Sequence, residues 1–226
     1  ERGEPLLRRD RQAGRCQDAG EDLDQRIAQG LRLLEQLRAD FESFREECIW
    51  CCIIYNTHQS LFESGEKRAR ILKDTAHRFF FDYSVMSQEY HVMLVGRLTD
   101  PPESAGNSNL TVKYLVQQLE NANCSSGDVQ AAADGVQAYR SRIKESRNKL
   151  VAHRDAATIR NGIEPKEWPV EETQSFHRDL NKFCDAVAIQ LGLQPTEFCN
   201  VPVETFPLIK HLESSLKAKA QRKGAQ

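Results

Sequence analysis

From Ile27 the apolar residues of the chain recur at Leu31, Leu34, Leu37, Phe41, Phe44, Cys48, Cys51 and Tyr55, in steps of three and four. That period predicts one long amphipathic helix. Glu63-Ser64-Gly65 breaks it, and a second helical stretch runs through Ile71, Leu72, Ala76, Phe79, Phe80, Tyr83, Met86, Tyr90, Met93 and Leu94 to Leu98. Two long helices joined by a short turn are expected to pack antiparallel. The segment from Thr99 to Ser108 contains Pro101, Pro102 and Gly106 and reads as a loop. Asn109 then reads as the N-cap of a helix through Leu110, Val112, Leu115, Val116 and Leu119.

After a break at Cys124-Ser125-Ser126-Gly127, the pattern predicts a helix from Asp128 to Ala152. Asn161-Gly162 and the stretch from Pro165 to Pro169 predict another loop. Val170 to Leu191 is helical again through Phe176, Leu180, Phe183, Val187 and Ile189, and a last helix follows Pro202 with Phe206, Leu208, Ile209, Leu212 and Leu216. Nothing alternates with period two. The expected fold is all-α, a bundle of about six helices with a long N-terminal helical hairpin and no internal repeat. Residues 1–20, rich in Arg, Asp, Gly and Gln, read as a flexible arm, 21–216 as the helical domain and 217–226 as a polar tail.

Composition narrows the chemistry. The 226 residues, 39% hydrophobic and 28% charged, can bury a sizeable core. A net charge of −2 excludes attraction of the whole surface to nucleic acid, so phosphate binding has to come from a local group of cations. Arg140, Arg142, Lys144, Arg147, Lys149 and Arg154 form such a group, against only Glu145 and Asp155. The plain alternative is a solvated helix face. Seven cysteines, an odd number in a chain of this length with no secretory segment, fit reduced cytosolic thiols. Cys48-Ile49-Trp50-Cys51-Cys52 contains a CxxC spacing but lies inside a helical pattern, without a second pair, and reads as buried small hydrophobes. His58, His77, His91, His177 and His211 fall on different helices and read as surface or core-edge residues, so no metal or cofactor is expected. The longest apolar run, Cys48 to Tyr55, is too short to span a bilayer, and a cytoplasmic location without a membrane segment is expected. P-loop, GxSxG and HExxH motifs are absent from the sequence.

The most informative segment is Arg147-Asn148-Lys149-Leu150-Val151-Ala152-His153. It pairs a permanent cation suited to phosphate with the one side chain that exchanges protons near neutral pH. On a helix, Val136, Tyr139 and Leu150 fall within roughly 40° of Ile143, with Arg147 about 40° to one side and His153 about 80° to the other. Both polar residues therefore edge an apolar stripe, a position that calls for a partner. If two copies of this helix met across a two-fold axis, two cations and two imidazoles would surround one phosphate. The imidazole could then take a 2′-hydroxyl proton or protonate the leaving 5′-oxygen, while Arg147 neutralises transition-state charge. Asn148 points well off the stripe on a straight helix. On spacing alone, an ion-paired Arg147 and a His153 near a helix C-terminus explain the pattern as well.

The segment Glu145-Ser146-Arg147-Asn148-Lys149-Leu150-Val151-Ala152-His153-Arg154-Asp155 resembles the signature of the HEPN superfamily, an arginine, a polar residue and a histidine after a short spacer. Arg97-Leu98-Thr99-Asp100, the loop after it and Asn109-Leu110-Thr111 resemble the abortive-infection AbiU-type branch, as does the order of helices over residues 27–215. The resemblance implies a dimeric all-α bundle and a metal-independent endoribonuclease used as a toxin in antiviral defence. Arg147, His153 and Asn148 would be catalytic, with Lys149, Arg154 and Lys144 binding substrate. Its implied partners are RNA, a second copy of the chain, and an antitoxin or other defence-system protein. One departure stands out: a related branch carries a modifiable tyrosine two residues after the histidine, where this chain has Asp155. Two other readings stay open, a non-catalytic HEPN-like module binding RNA or protein, and a structural oligomer joined through the Ile27–Tyr55 helix.

Overall fold

A computed structural model describes residues 7–146 and 170–224. Its helices are α1 (Leu7–Phe62), α2 (Glu66–Thr99), α3 (Val112–Asn121), α4 (Gly127–Ser146), α5 (Val170–Gln190) and α6 (Thr205–Gly224). Two-residue strands, β1 (Glu103–Ser104) and β2 (Asn107–Ser108), pair antiparallel between α2 and α3. The architecture is all-α, as the hydrophobic period requires. The first helix begins at Leu7, twenty residues ahead of its first periodic residue, and α6 continues to Gly224, past Leu216.

The chain divides into two units, Glu1–Asp40 and Phe41–Gln226. The first holds the N-terminal part of α1, where Gln36 Nε2 donates to Asp40 Oδ1 at 2.8 Å one turn on. In the second, Phe41, Phe44, Cys48, Cys51 and Cys52 of α1 are buried almost completely. Pairs along α1 and α2 run in opposite order: Glu47 with Arg97, Tyr55 with His91, His58 with Ser87 and Phe62 with Tyr83. As the number rises on one helix it falls on the other, which is the antiparallel hairpin the short turn at Gly65 predicts. That glycine takes φ +95°, a conformation costly for any residue with a Cβ. From Phe41 onward the α1 stripe is filled by its own chain. Phe44 meets Phe183 of α5 edge to face at 5.8 Å, and Tyr55 stacks on His177 of α5 at 4.5 Å. The reading of this stretch as an intermolecular coiled-coil seam therefore fails.

The second apolar series was too wide for a single face. Ile71, Leu72, Phe80, Leu94 and Leu98 are buried, whereas Phe79, Met86 and Tyr90 are exposed. Part of the reason is a break at Ala76 (φ −157°, ψ 71°), which rotates the face presented on either side of it. Thr75 Oγ1 donates to the Ile71 carbonyl at 2.7 Å just before the break, a back-bond that bends helices. The N-terminal part of α2 then packs with the end of α1 and with α6 through Leu61, Ile71, Leu72, Phe80 and Ile209. Asn109 is not the cap of α3. Thr111 is, its side chain accepting from Tyr114 N at 3.2 Å. Asn109 lies too far upstream and instead donates its side-chain amide to the Pro101 carbonyl at 2.9 Å, while its backbone N donates to the Pro102 carbonyl at 2.7 Å. These two bonds close the loop that carries the small hairpin.

Helix α4 lies antiparallel to α5. Gly135 faces Asp179, Tyr139 faces Phe176 and Thr173, and Arg142 faces Glu172. A Cβ on Gly135 would come within 2.9 Å of the Asp179 carboxylate, so the glycine permits the close approach. Val129, Val136 and Ile143 are buried along the same seam. Helix α5 stops where Gly192 adopts φ +68° and Leu193 N reaches back to the Ala188 carbonyl at 2.8 Å. Phe176, only 1% exposed, bridges α4 and the α1–α5 core. Truncating it in Phe176→Ala is expected to cost about 3–5 kcal/mol of unfolding free energy in urea melts. A loss under about 1 kcal/mol would mean that this seam does not hold the bundle.

Candidate functional site

The residues singled out for chemistry divide sharply. Arg147, Asn148, Lys149, His153 and Arg154 lie outside the described residues, as does Leu150. What the structure places is the platform that leads to them. Helix α4 runs from Gly127 to Ser146, with its first turn held by Ser126 Oγ accepting from Val129 N at 3.4 Å. The expected stripe is present: Val136, Tyr139 and Ile143 are all buried. Lys144, the residue proposed for substrate contact nearest the motif, is exposed on the last turn.

The end of this platform is clamped on two sides. Tyr139 stacks on Phe176 at 4.8 Å, and its hydroxyl bonds Thr173 Oγ1 at 3.0 Å. Burial pushes the Tyr139 phenol up to about 12, so it remains a neutral hydrogen-bonding group at physiological pH. Arg142 pairs with Glu172 at the start of α5, and Arg140 pairs with Asp100, the C-cap of α2, at 3.1 Å. Two members of the basic run are thus engaged with carboxylates of the same chain. The phosphate-binding capacity expected of the full run falls to Lys144 and the residues beyond it.

Arg140 and Asp100 also line a cleft of about 670 Å³ between α1, α2, α4 and the β1–β2 loop. Arg97 lines it too, paired with Glu47 at 2.9 Å, as does Asn109. The Arg97–Asp100 and Asn109 motifs, separated in sequence, therefore meet here. Each arginine faces a carboxylate, so the cleft is polar without a net excess of either charge among these four groups. The Arg140–Asp100 pair ties this loop region to the last turns of α4.

A second cluster was not anticipated. Cys51 of α1, His91 of α2 and His177 of α5 converge in the core, with ligand-type atoms all within 4.8 Å of one another. His91 Nε2 lies 3.1 Å from His177 Nε2, and Cys52 Sγ lies 3.1 Å from His177 Nδ1. Tyr55 lies over both rings, and Cys199 Sγ donates to the His177 carbonyl at 3.0 Å. Three of the histidines read as surface or core-edge residues are thus corrected, since His58, His91 and His177 are buried, while His77 and His211 are exposed as expected. Cys48, Cys51 and Cys52 are buried as expected, but Cys52 is a polar partner and not simply a small hydrophobe. No sequence spacing announces this convergence, because its members come from three helices brought together only by tertiary packing.

Burial lowers the affinity of these rings for protons. Desolvation, with His58 nearby, brings His91 down to about 4, and desolvation with His91 adjacent holds His177 well below its ordinary value. His58 is also lowered by burial, against a smaller opposite pull from Glu63. Cys51 and Cys52 are pushed up by their surroundings and are thiols at neutral pH. The sign of the linkage follows. The unfolded chain binds protons on His91 below about pH 6.5 that the folded chain refuses until about pH 4, so stability is full above the first value and declines between the two. His91 alone accounts for about 3 kcal/mol over that window. Urea melts in EDTA across that range are expected to show this loss, with a shallower slope in His91→Gln. Identical slopes would remove the assignment.

The geometry defines an all-α bundle in which two long antiparallel helices and the clamped helix α4 share one core. The chain belongs to the AbiU2 family of HEPN proteins, whose family model matches residues 34–198, well over half its length. No curated protein and no solved structure matches it. The matched span takes in α4 and the Arg147–His153 segment. Among the described residues no helix is long and apolar enough to cross a membrane.

Proposed function

We propose that the protein is a metal-independent endoribonuclease of abortive-infection or toxin type, with a composite active site at a homodimer interface. The observation that carries this reading is the family match across the Arg147–His153 segment, in which the arginine, the adjacent polar residue and the histidine of the HEPN signature are all present. The clamped α4 platform supports it, since catalytic side chains need a rigid mount to hold their geometry.

In this reading the His153 imidazole accepts the proton of an RNA 2′-hydroxyl. The 2′-oxygen attacks the adjacent phosphorus, the bond to the 5′-oxygen breaks, and the departing oxygen takes a proton from the second imidazole of the dimer. Arg147 stabilises the charge that builds on the non-bridging oxygens, where a positioned cation acts most strongly. Asn148 bonds a phosphate oxygen or orients the ring. Lys144, Lys149 and Arg154 hold the flanking phosphates, which a chain of net charge −2 can do only through a local group. The products are a 2′,3′-cyclic phosphate and a 5′-hydroxyl. RNA and a second copy of the chain are the partners, with a protein of the defence system as its restraint. The protein acts in the cytoplasm, where its RNA substrates are.

The test is cleavage of RNA by purified dimer in EDTA, with folding verified by circular dichroism. Wild type should produce cyclic phosphate ends, and His153→Ala and Arg147→Ala should each lose about 100-fold or more in rate. Lys144→Ala should weaken RNA binding and lower its salt dependence by about one unit of slope. Binding without turnover would favour a non-catalytic module. Neither binding nor cleavage by a folded dimer, or full activity in His153→Ala, would overturn the proposal.

A further inference from the structure

The geometry points to a binding site for one thiophilic d10 metal ion, zinc or cuprous copper, formed by Cys51 Sγ and the facing imidazole nitrogens of His91 and His177. Three features of the cluster carry this assignment. The donors come from α1, α2 and α5, three separate elements, and converge within 4.8 Å of one another at positions no more than 6% exposed. The 3.1 Å between His91 Nε2 and His177 Nε2 is close to the roughly 3.3 Å edge that two imidazoles make on a tetrahedral ion with bonds of about 2.0–2.1 Å. His177 presents its other nitrogen, Nδ1, to Cys52 Sγ at 3.1 Å, the kind of outer partner that fixes the orientation of a metal-bound histidine.

The chemistry of the donors selects the ion. One sulfur and two imidazoles suit zinc or copper and exclude magnesium and calcium, which require oxygen. Both rings are kept neutral by burial, the form that ligates. Cys51 is a thiol in the metal-free core, so binding releases one proton from its sulfur as the metal–thiolate bond forms. Cuprous copper with one thiolate leaves the buried site uncharged. Zinc leaves one positive charge, with Cys52 Sγ accepting the hydrogen bond of His177 Nδ1–H as a neutral thiol. The ion would staple α1, α2 and α5 at the centre of the core. This is a structural role, independent of RNA chemistry. Because the site is enclosed, loading accompanies folding.

The experiment is to refold the untagged full chain under reductant with ZnCl2, or anaerobically with Cu(I), then desalt it and measure metal per chain and melting temperature. Cobalt replaces zinc as the spectroscopic probe, since a thiolate ligand gives a near-ultraviolet charge-transfer band and tetrahedral coordination gives visible ligand-field bands. About one ion per chain should be retained with a raised melting temperature. The cobalt band should disappear in Cys51→Ser and His91→Gln, and affinity should fall about 10–100-fold in Cys52→Ala. Cys124→Ser, a cysteine outside the cluster, and His153→Ala should bind as wild type. Magnesium should have no effect. Folded wild type that retains neither metal, or Cys51→Ser and His91→Gln that bind like wild type, would overturn the assignment and leave a purely hydrogen-bonded cluster. Wild-type retention and the cobalt band decide the matter even where a variant fails to fold.

Discussion

The bundle depends on burial of one stripe of α1, from Phe41 through Phe44 and Cys48 to Cys51 and Cys52, between α2 and α5. Each of these side chains is close to completely removed from water, and burying a residue of this kind contributes about 1.5–3 kcal/mol for the larger ones before entropy is counted. Because α2 and α5 both pack on this stripe, its position sets their registers. α4 then follows from α5 through the Tyr139–Phe176 contact and the close approach at Gly135. The path from core to candidate site is therefore short. It runs from the α1 stripe to α5, from α5 to the last turns of α4, and so to the residue before Arg147.

The same packing creates two polar places in an otherwise apolar interior. Around His91 and His177 the core holds groups with weak partners, thiols and neutral imidazoles, whose desolvation makes stability sensitive to acid. Around Arg140 and Asp100, an ion pair ties the C-cap of α2 to helix α4. Such a pair, about a fifth to a quarter exposed on each side, adds modestly to stability. Its larger effect is to fix where α4 lies, and the proposed composite active site needs that orientation more than it needs another increment of stability.

Much of this fold is legible in the sequence. The period of three and four identifies α1, α4 and α5 because each presents one continuous buried face, as Phe41, Phe44 and Cys48 do on α1 and Phe176, Leu180 and Phe183 do on α5. The period misleads on α2, where the break at Ala76 and the exposed side chains of Phe79, Met86 and Tyr90 put apolar residues outside any single face. The cap of α3 escaped for a local reason. Asn109 and Thr111 are both good caps, and only the loop geometry that draws Asn109 to Pro101 decides between them. The His–Cys cluster escaped for a global one, since Cys51, His91 and His177 lie far apart in sequence and only the joint packing of three helices relates them. The Arg147–His153 segment is the converse case: its spacing is visible in the sequence and its family is shown, while the chemistry proposed for it calls for a second copy of the chain.

The most direct measurement is a crystal structure of the dimer in complex with a non-cleavable RNA carrying 2′-O-methyl groups. The account predicts that the two α4 helices meet across the two-fold axis, with both His153 imidazoles and both Arg147 guanidinium groups converging on one phosphate. A dimer that holds the two His153 residues on opposite faces, each open to solvent and away from the RNA, would contradict it.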